Sequence, residues 1–347
     1  MANLLEITTL YHELSFVDRI IFYTTLSNDV TVCDEEVQSF LIETRMQRET
    51  TCVHCGQDHI VKNGKRKDGV QRYLCRDCHK SFLPSSGSLV SRSRKPVSLW
   101  AAFLKCMLDK KTLEESAEEC RISKTTAFLW RHKILDTLGE LTDKVCLRGI
   151  VEADETFFSV SFKGNHTKSS RFVMPREAHK RGGEVHRQGL SSDKVCVPCA
   201  ISDAGISFSR PGKLGKVSSE CVERILGERI APESILCTDH ERAYRNYAEI
   251  NHLHLIQTGT DRRITIQGEQ VYGVQRINAY HNRLKVFLRS FHGVSTKHLG
   301  NYLVWNDLIS GNRRNRDELF TQLFARLLNA SITRYGADIS NRAPLPV

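Results

Sequence analysis

A chain of 347 residues has room for two or three domains. Its composition, 40% hydrophobic and 26% charged, is that of an ordinary soluble globular protein, and no apolar run approaches the ~18 residues needed to span a bilayer. The formal net charge of +10 favours a polyanionic partner, nucleic acid first.

The N-terminus, Met1-Ala-Asn-Leu-Leu-Glu, lacks the basic start of a signal peptide. Twelve cysteines fit a reducing cytosol with one metal site better than a secreted disulfide framework. The expected location is therefore cytoplasmic and, for a nucleic-acid binder, nucleoid-associated.

Residues 1–47 carry two arginines, Arg19 and Arg45, against eight acidic residues. Apolar clusters alternate with those acids and predict two or three short amphipathic helices, an acidic head. Residues 48–95 reverse the sign, with eleven Lys/Arg against four acids. Within 48–83 the turn signals Gly56, Gly64 and Asp68-Gly69 predict two hairpins. Cys52-x2-Cys55 and Cys75-x2-Cys78, separated by 19 residues, supply four thiolates at the spacing of a tetrahedral zinc site. A zinc ribbon is the reading. The rival, four reduced core cysteines, sits badly with Lys62, Lys65, Arg66, Lys67, Arg72 and Arg76 around them. His54, His59 and His79 are possible substitute ligands that break the symmetric spacing. A basic linker, 84–96, follows.

Residues 97–140 have helical periodicity and predict a helix-turn-helix. Thr112–Cys120 forms the first helix, Arg121-Ile122-Ser123 turns the chain, and Ser123 caps a helix from Lys124. In such a unit the second helix enters the major groove, which assigns Lys124, Thr125, Thr126 and Arg131 to DNA and Ala127, Phe128 and Trp130 to packing. An ordinary helical hairpin is the competing reading, and the basic ribbon beside it tips the balance toward DNA.

From 147 the pattern turns to short strands, then to alternating strands and helices: helix 217–229, strand 234–238, helix 240–250, strand 253–257 and a long helix over 272–290. That order predicts a mixed α/β layer fold over 147–312. Cys196-x2-Cys199 lies in an apolar strand pattern and reads as buried core. Residues 162–194 interrupt the core with eight Lys/Arg against three acids, a loop suited to phosphates or to plain solvent. His252/His254 and His292/His298 read as structural. Residues 313–347 read as a C-terminal helix and tail. The whole is a multidomain α+β chain.

Asp154 lies inside a strand pattern, and Asp239 at the end of another. Charge there is costly unless it is paired or metal-bound. Two such acids that converge suit a hard divalent cation, Mg2+ or Mn2+, and phosphoryl transfer.

The motifs taken together resemble the ISXO-like family of insertion-sequence transposases, a branch of the DDE transposases with a ribonuclease-H-like core. The matching segments are the ribbon Cys52–Cys78, Val151-Glu-Ala-Asp-Glu-Thr156, Thr238-Asp-His-Glu-Arg-Ala-Tyr244, Asn278-Ala-Tyr-His-Asn-Arg-Leu-Lys285 and Phe291–Leu303. The resemblance covers roughly residues 50–310 and implies that Asp154 and Asp239 are the first two metal ligands. The family's third ligand is usually Glu, seven residues before a helical Lys or Arg. Here Asn278 stands seven residues before Lys285, about two helical turns, so the two share a face. The chain looks like the Asn-bearing variant, with Glu269 and His281 as alternative third ligands.

The resemblance implies a DNA transposase that binds double-stranded element ends, nicks them, and joins the 3′-OH to target DNA as a homo-oligomer. Two rivals stand beside it: a non-catalytic DNA-binding regulator, and a nuclease of the same fold without strand transfer.

Overall fold

The computed structural model describes residues 9–26, 51–66, 71–83, 85–91, 93–164, 173, 194–258, 263–266, 270–311, 316–329 and 336–343. Two compact units emerge: Met1–Leu138 with Asn312–Ser340, and Gly139–Gly311 with Asn341–Val347. The basic insertion at 165–172 and 174–193 lies outside the described residues, as does Glu269.

In the first unit, a three-stranded antiparallel sheet of β1 (Ile60–Lys65), β2 (Gln71–Cys75) and β3 (Ser81–Phe82) carries the cysteine quartet. Its hydrophobic core is small: Phe82 stacks on Tyr73 beside Cys52 and Cys75. So little apolar surface cannot hold 30 residues by itself, which gives the four sulfurs a structural task.

Helices α1 (Phe16–Leu26) and α9 (Arg316–Asn329) pack on α2 (Val97–Leu108). Asp18 pairs with Lys105 there, and Arg316 meets Asp109 at 2.6 Å. Then come α3 (Leu113–Glu119) and α4 (Lys124–Thr142). Thr112 and Glu115 form a capping box on α3, and the Ser123 hydroxyl accepts the Thr126 N–H at 3.1 Å. Trp130 stacks on Trp100 with ring centroids 3.8 Å apart, and Ala127 is fully buried.

The second unit is built on a mixed sheet. Its strands are β4 (Ile150–Ser159), β5 (Lys194–Ser202), β6 (Ser207–Ser209), β7 (Lys213–Leu214), β8 (Ile235–Thr238) and β9 (His254–Gln257). The order is β6-β5-β4-β8-β9, with β7 on β5. β4, β5 and β6 are antiparallel; β8 and β9 run parallel to β4. The chain enters β4 through Gly149, whose φ of +76° and close approach to the Asp203 carboxylate leave no room for a Cβ.

Alternation splits β4 between two helical layers. Val151 and Ala153 face α5 (Ser219–Leu226) and α6 (Arg242–Ile250), in a core with Val222, Leu226, Tyr244 and Tyr247. Glu152 and Asp154 face the other way, toward α7 (Gln275–Arg289), which lies on β4 and β5. Cys196 and Cys199 are fully buried in β5, as read from the sequence. A hairpin, β10 (Arg263–Ile266) and β11 (Gln270–Gly273), leads into α7. α8 (Leu299–Gly311) packs against β6, and a short α10 (Gly336–Ser340) belongs to the first unit. Among the described residues no helix is long and apolar enough to cross a membrane.

Candidate active site and cysteine centre

Parallel strands end at a common edge, and acids placed there can meet. The register pairs Glu152 with Cys237. Two residues further along stand Asp154, still within β4, and Asp239, just past the carboxyl end of β8. The Asp239 carboxylate accepts the Glu241 N–H at 2.9 Å, while its backbone carbonyl takes Gln257 Nε2 at 2.9 Å and the Thr238 hydroxyl at 2.9 Å. These bonds fix the chain where it leaves the sheet and keep the Asp239 side chain exposed.

α7 supplies the third side. His281 Nδ1 stands 3.8 Å from Asp154 Oδ2. Asn278 lies three residues earlier on the same helical face, half-buried, and Lys285 four residues later, exposed. Asp154 and Asp239 are therefore near enough to feel each other's charge, and His281 of α7 reaches Asp154.

The electrostatics record the crowding. Burial and then the charge of Asp239 push the Asp154 carboxyl up to about 7, against a lowering contribution from Lys285. Glu155 is raised to about 8 by burial and by Asp154, Asp239 and Glu241. Burial and Lys285 push His281 down to about 4, so at neutral pH its contact with Asp154 is that of a neutral ring, not an ion pair. His281 Nε2 and Glu155 Oε2 are buried without a hydrogen-bond partner among the described residues.

A divalent cation fits this set. Two carboxylates that repel each other are hard donors, and a cation would offset both the burial and the repulsion that raise Asp154.

In the first unit one sulfur from each of Cys52, Cys55, Cys75 and Cys78 lies within 4.8 Å of the others. Cys52 and Cys78 are 3.6 Å apart, as are Cys55 and Cys75. Each pair is followed by a residue with positive φ, Gly56 at 79° and His79 at 55°, so the two knuckles turn alike. Burial pushes the Cys52 thiol up, but the N–H groups of His54 and Cys55 and the Cys78 and Cys55 thiols outweigh it and bring it to about 7. Four thiols at this spacing fit a structural zinc ion. Of the histidines nearby, His59 faces Asp77 at 3.8 Å, and the His54 ring packs edge-on to Phe82.

One assignment needs correction. Arg131 does not face solvent: it is fully buried, and its Nη2 donates to the Lys111 carbonyl at 2.7 Å and the Ser116 hydroxyl at 3.4 Å. It sits one helical turn after Ala127, on the face that packs against α3, and ties the two helices together. Lys124 and Thr125 are exposed and Thr126 half-exposed; Lys124 pairs with Glu114. Sequence reasoning passed over Glu152. Its place two residues before Asp154, on the same strand face, was the available signal.

Residues 146–304, the stretch that holds both acids and α7, match the model of the ISXO2-like transposase domain. This segment is a transposase domain of the ISXO-like family. Over 214 residues the chain is 20% identical to an uncharacterized protein in transposable element ISH50 of Halobacterium salinarum, covering 61% of this chain and 69% of that one. Looser likenesses link it to solved Mos1 structures. The Mos1 mariner paired-end complex with Mn aligns over 94% of this chain and 96% of its own, at 14% identity and a TM-score of 0.24. The Mos1 paired-end complex with left transposon end aligns over 45% of this chain at 16% identity and a TM-score of 0.19, and the chain spans only 58% of that protein.

Proposed function

We propose that the protein is a DNA transposase of an insertion sequence, in which Asp154, Asp239 and Asn278 hold Mg2+ or Mn2+. The observation that carries this is the mutual charge interaction of Asp154 and Asp239, with His281 of α7 3.8 Å from Asp154, inside the segment that matches a transposase domain. The sheet order, three antiparallel strands followed by two parallel ones, supports a ribonuclease-H-like core. When bound, the cation supplies Lewis-acid stabilisation of the phosphoryl oxygens during in-line displacement.

The chain's own groups do the rest. Asp154 and Asp239 present charge at the open edge of the sheet. His281, neutral and buried, stands beside Asp154 without adding charge. Lys285, exposed two turns along α7, offers a cation to the phosphate beside the scissile bond. The reaction is hydrolysis of one strand at the element end, then attack of the freed 3′-OH on target DNA.

The four-cysteine module, holding zinc, and the paired helices α3 and α4 grip the element ends. Lys124, Thr125 and Thr126 are the proposed contacts at the start of α4. Pairing two ends calls for a homo-oligomer, and the site of action is cytoplasmic, on the nucleoid.

The test is a cleavage and strand-transfer assay on labelled DNA from the gene's own flanks, with Mg2+ or EDTA and with wild type or Asp239→Ala. Metal-dependent nicks and joined products that vanish in the variant establish the reading. Tight binding without a cut by either protein supports a regulator; nicks without joined products support a nuclease.

A further inference from the structure

α7 starts without a cap of its own. Its N-cap residue is Val274, whose side chain has no oxygen for the first-turn N–H groups. The acceptor comes from β4 instead. Glu152 Oε2 takes the Ile277 N–H at 3.0 Å, and Oε1 takes Arg276 Nη1 at 3.2 Å. Ile277 is the third residue of the helix, the position a capping Ser or Asp would ordinarily serve. The Glu152 side chain is only 4% exposed, while Arg276 is 44% exposed. A carboxylate sunk in a sheet is costly unless its surroundings answer it. Here the Ile277 N–H and Arg276 answer it in part, as a helix N-terminus favours negative charge, while burial still holds the carboxyl above its ordinary value.

The placement matters more than the bond. Asp154 lies two residues beyond Glu152 on the same strand face, and Asn278 directly follows Ile277. A second anchor lies two residues past Asn278: the Tyr280 hydroxyl donates to the buried Asp307 carboxylate at 2.6 Å. The turn that bears Asn278 is thus held on both sides.

Resting on the transposase reading above, we propose that Glu152 is a positioning residue: by capping α7 from the neighbouring strand it sets Asn278 against Asp154 and Asp239, and so sets the site's affinity for a divalent cation. Hydrolysis and joining need not involve Glu152 directly.

The experiment uses the full chain, zinc-loaded, with Mn2+ as the probe. Free Mn2+ is followed by electron paramagnetic resonance, counting the site that Asp154→Asn removes. Glu152→Ala should weaken that site tenfold or more. Glu152→Gln, whose amide oxygen still accepts the Ile277 N–H, should recover most of the loss. Glu152→Ala with Asn278→Ala should bind no more weakly than Asn278→Ala alone, because both act through one ligand. In the metal-free protein, the Ile277 and Asn278 amides should exchange faster with solvent in Glu152→Ala. If Glu152→Ala does not fold, Glu152→Asp, one methylene too short to reach Ile277 from an unmoved helix, should still lose threefold or more. Wild-type Mn2+ affinity in Glu152→Ala or Glu152→Asp overturns the inference while leaving the metal site intact. A wild-type chain with no Asp154-dependent Mn2+ site overturns the metal reading itself, and the inference with it.

Discussion

Asp154→Asn should make the metal-free protein more stable, and increasingly so as the pH rises. In the folded chain Asp154 titrates at about 7, against an ordinary 3.8. Between those values the native state binds the proton more tightly than the unfolded state, so stability falls as pH rises, and the loss levels off above 7. At 1.36 kcal/mol per pH unit, the Asp154 penalty is about 1.6 kcal/mol at pH 5 and about 4 kcal/mol at pH 8. The side chain is 23% exposed, so these are upper values. The asparagine variant removes the penalty, and its advantage over wild type should grow by roughly 2 kcal/mol from pH 5 to pH 8. Urea melts of both proteins in EDTA at the two pH values measure this. Added Mg2+ should then stabilise wild type and not the variant, by mass action on a site only wild type keeps. An advantage that does not grow with pH would refute the crowded-carboxylate account.

Four further outcomes follow from the same geometry. Asp307→Ala should cost about 3 kcal/mol or more in thermal or urea unfolding, since it strands the Ser207, Ser209 and Tyr280 donors in the core. Cys75→Ser should abolish bound zinc, read by elemental analysis, and unfold β1–β3 while α7 amides keep their exchange protection. Lys124→Ala should leave stability nearly unchanged and weaken DNA binding across sequences, lowering the salt slope by about 1. Asn278→Asp should lower metal-free stability and raise Mn2+ affinity together; a change in neither would remove residue 278 from the site.

The sequence made the two acids legible for a physical reason. A carboxylate that interrupts or ends a strand of apolar residues stands out against its neighbours, and β4 and β8 show both cases. The cysteine pairs stood out by spacing alone. Arg131 misled because an arginine seven residues into an amphipathic helix looks the same in sequence whether it faces DNA or a partner helix. Only the three-dimensional position of the Lys111 carbonyl decides it. Glu152 was hidden by proximity: beside Asp154 and Glu155 it reads as one more acid of a motif. The clue was indirect, a helix predicted to start near 272 with no Ser, Thr, Asp or Asn at the right place to cap it.

In the proposed site, the neutral third position and the borrowed cap belong together. At neutral pH the metal-free site carries less negative charge than its carboxylates suggest, because Asp154 is held at about 7 and Glu155 at about 8. A glutamate at 278 would add a third repelling charge to that cluster and raise the cost of the metal-free fold. Asparagine avoids it, and His281, pushed down to about 4, adds no charge either. The cost falls on affinity. A carboxylate attracts a cation over several ångströms, whereas an amide oxygen offers a dipole that acts only in place. In the proposed site an asparagine ligand therefore depends on the helix that carries it being fixed beforehand, and bonds from Glu152 to Ile277 and from Tyr280 to Asp307 hold α7 on the two sides of residue 278.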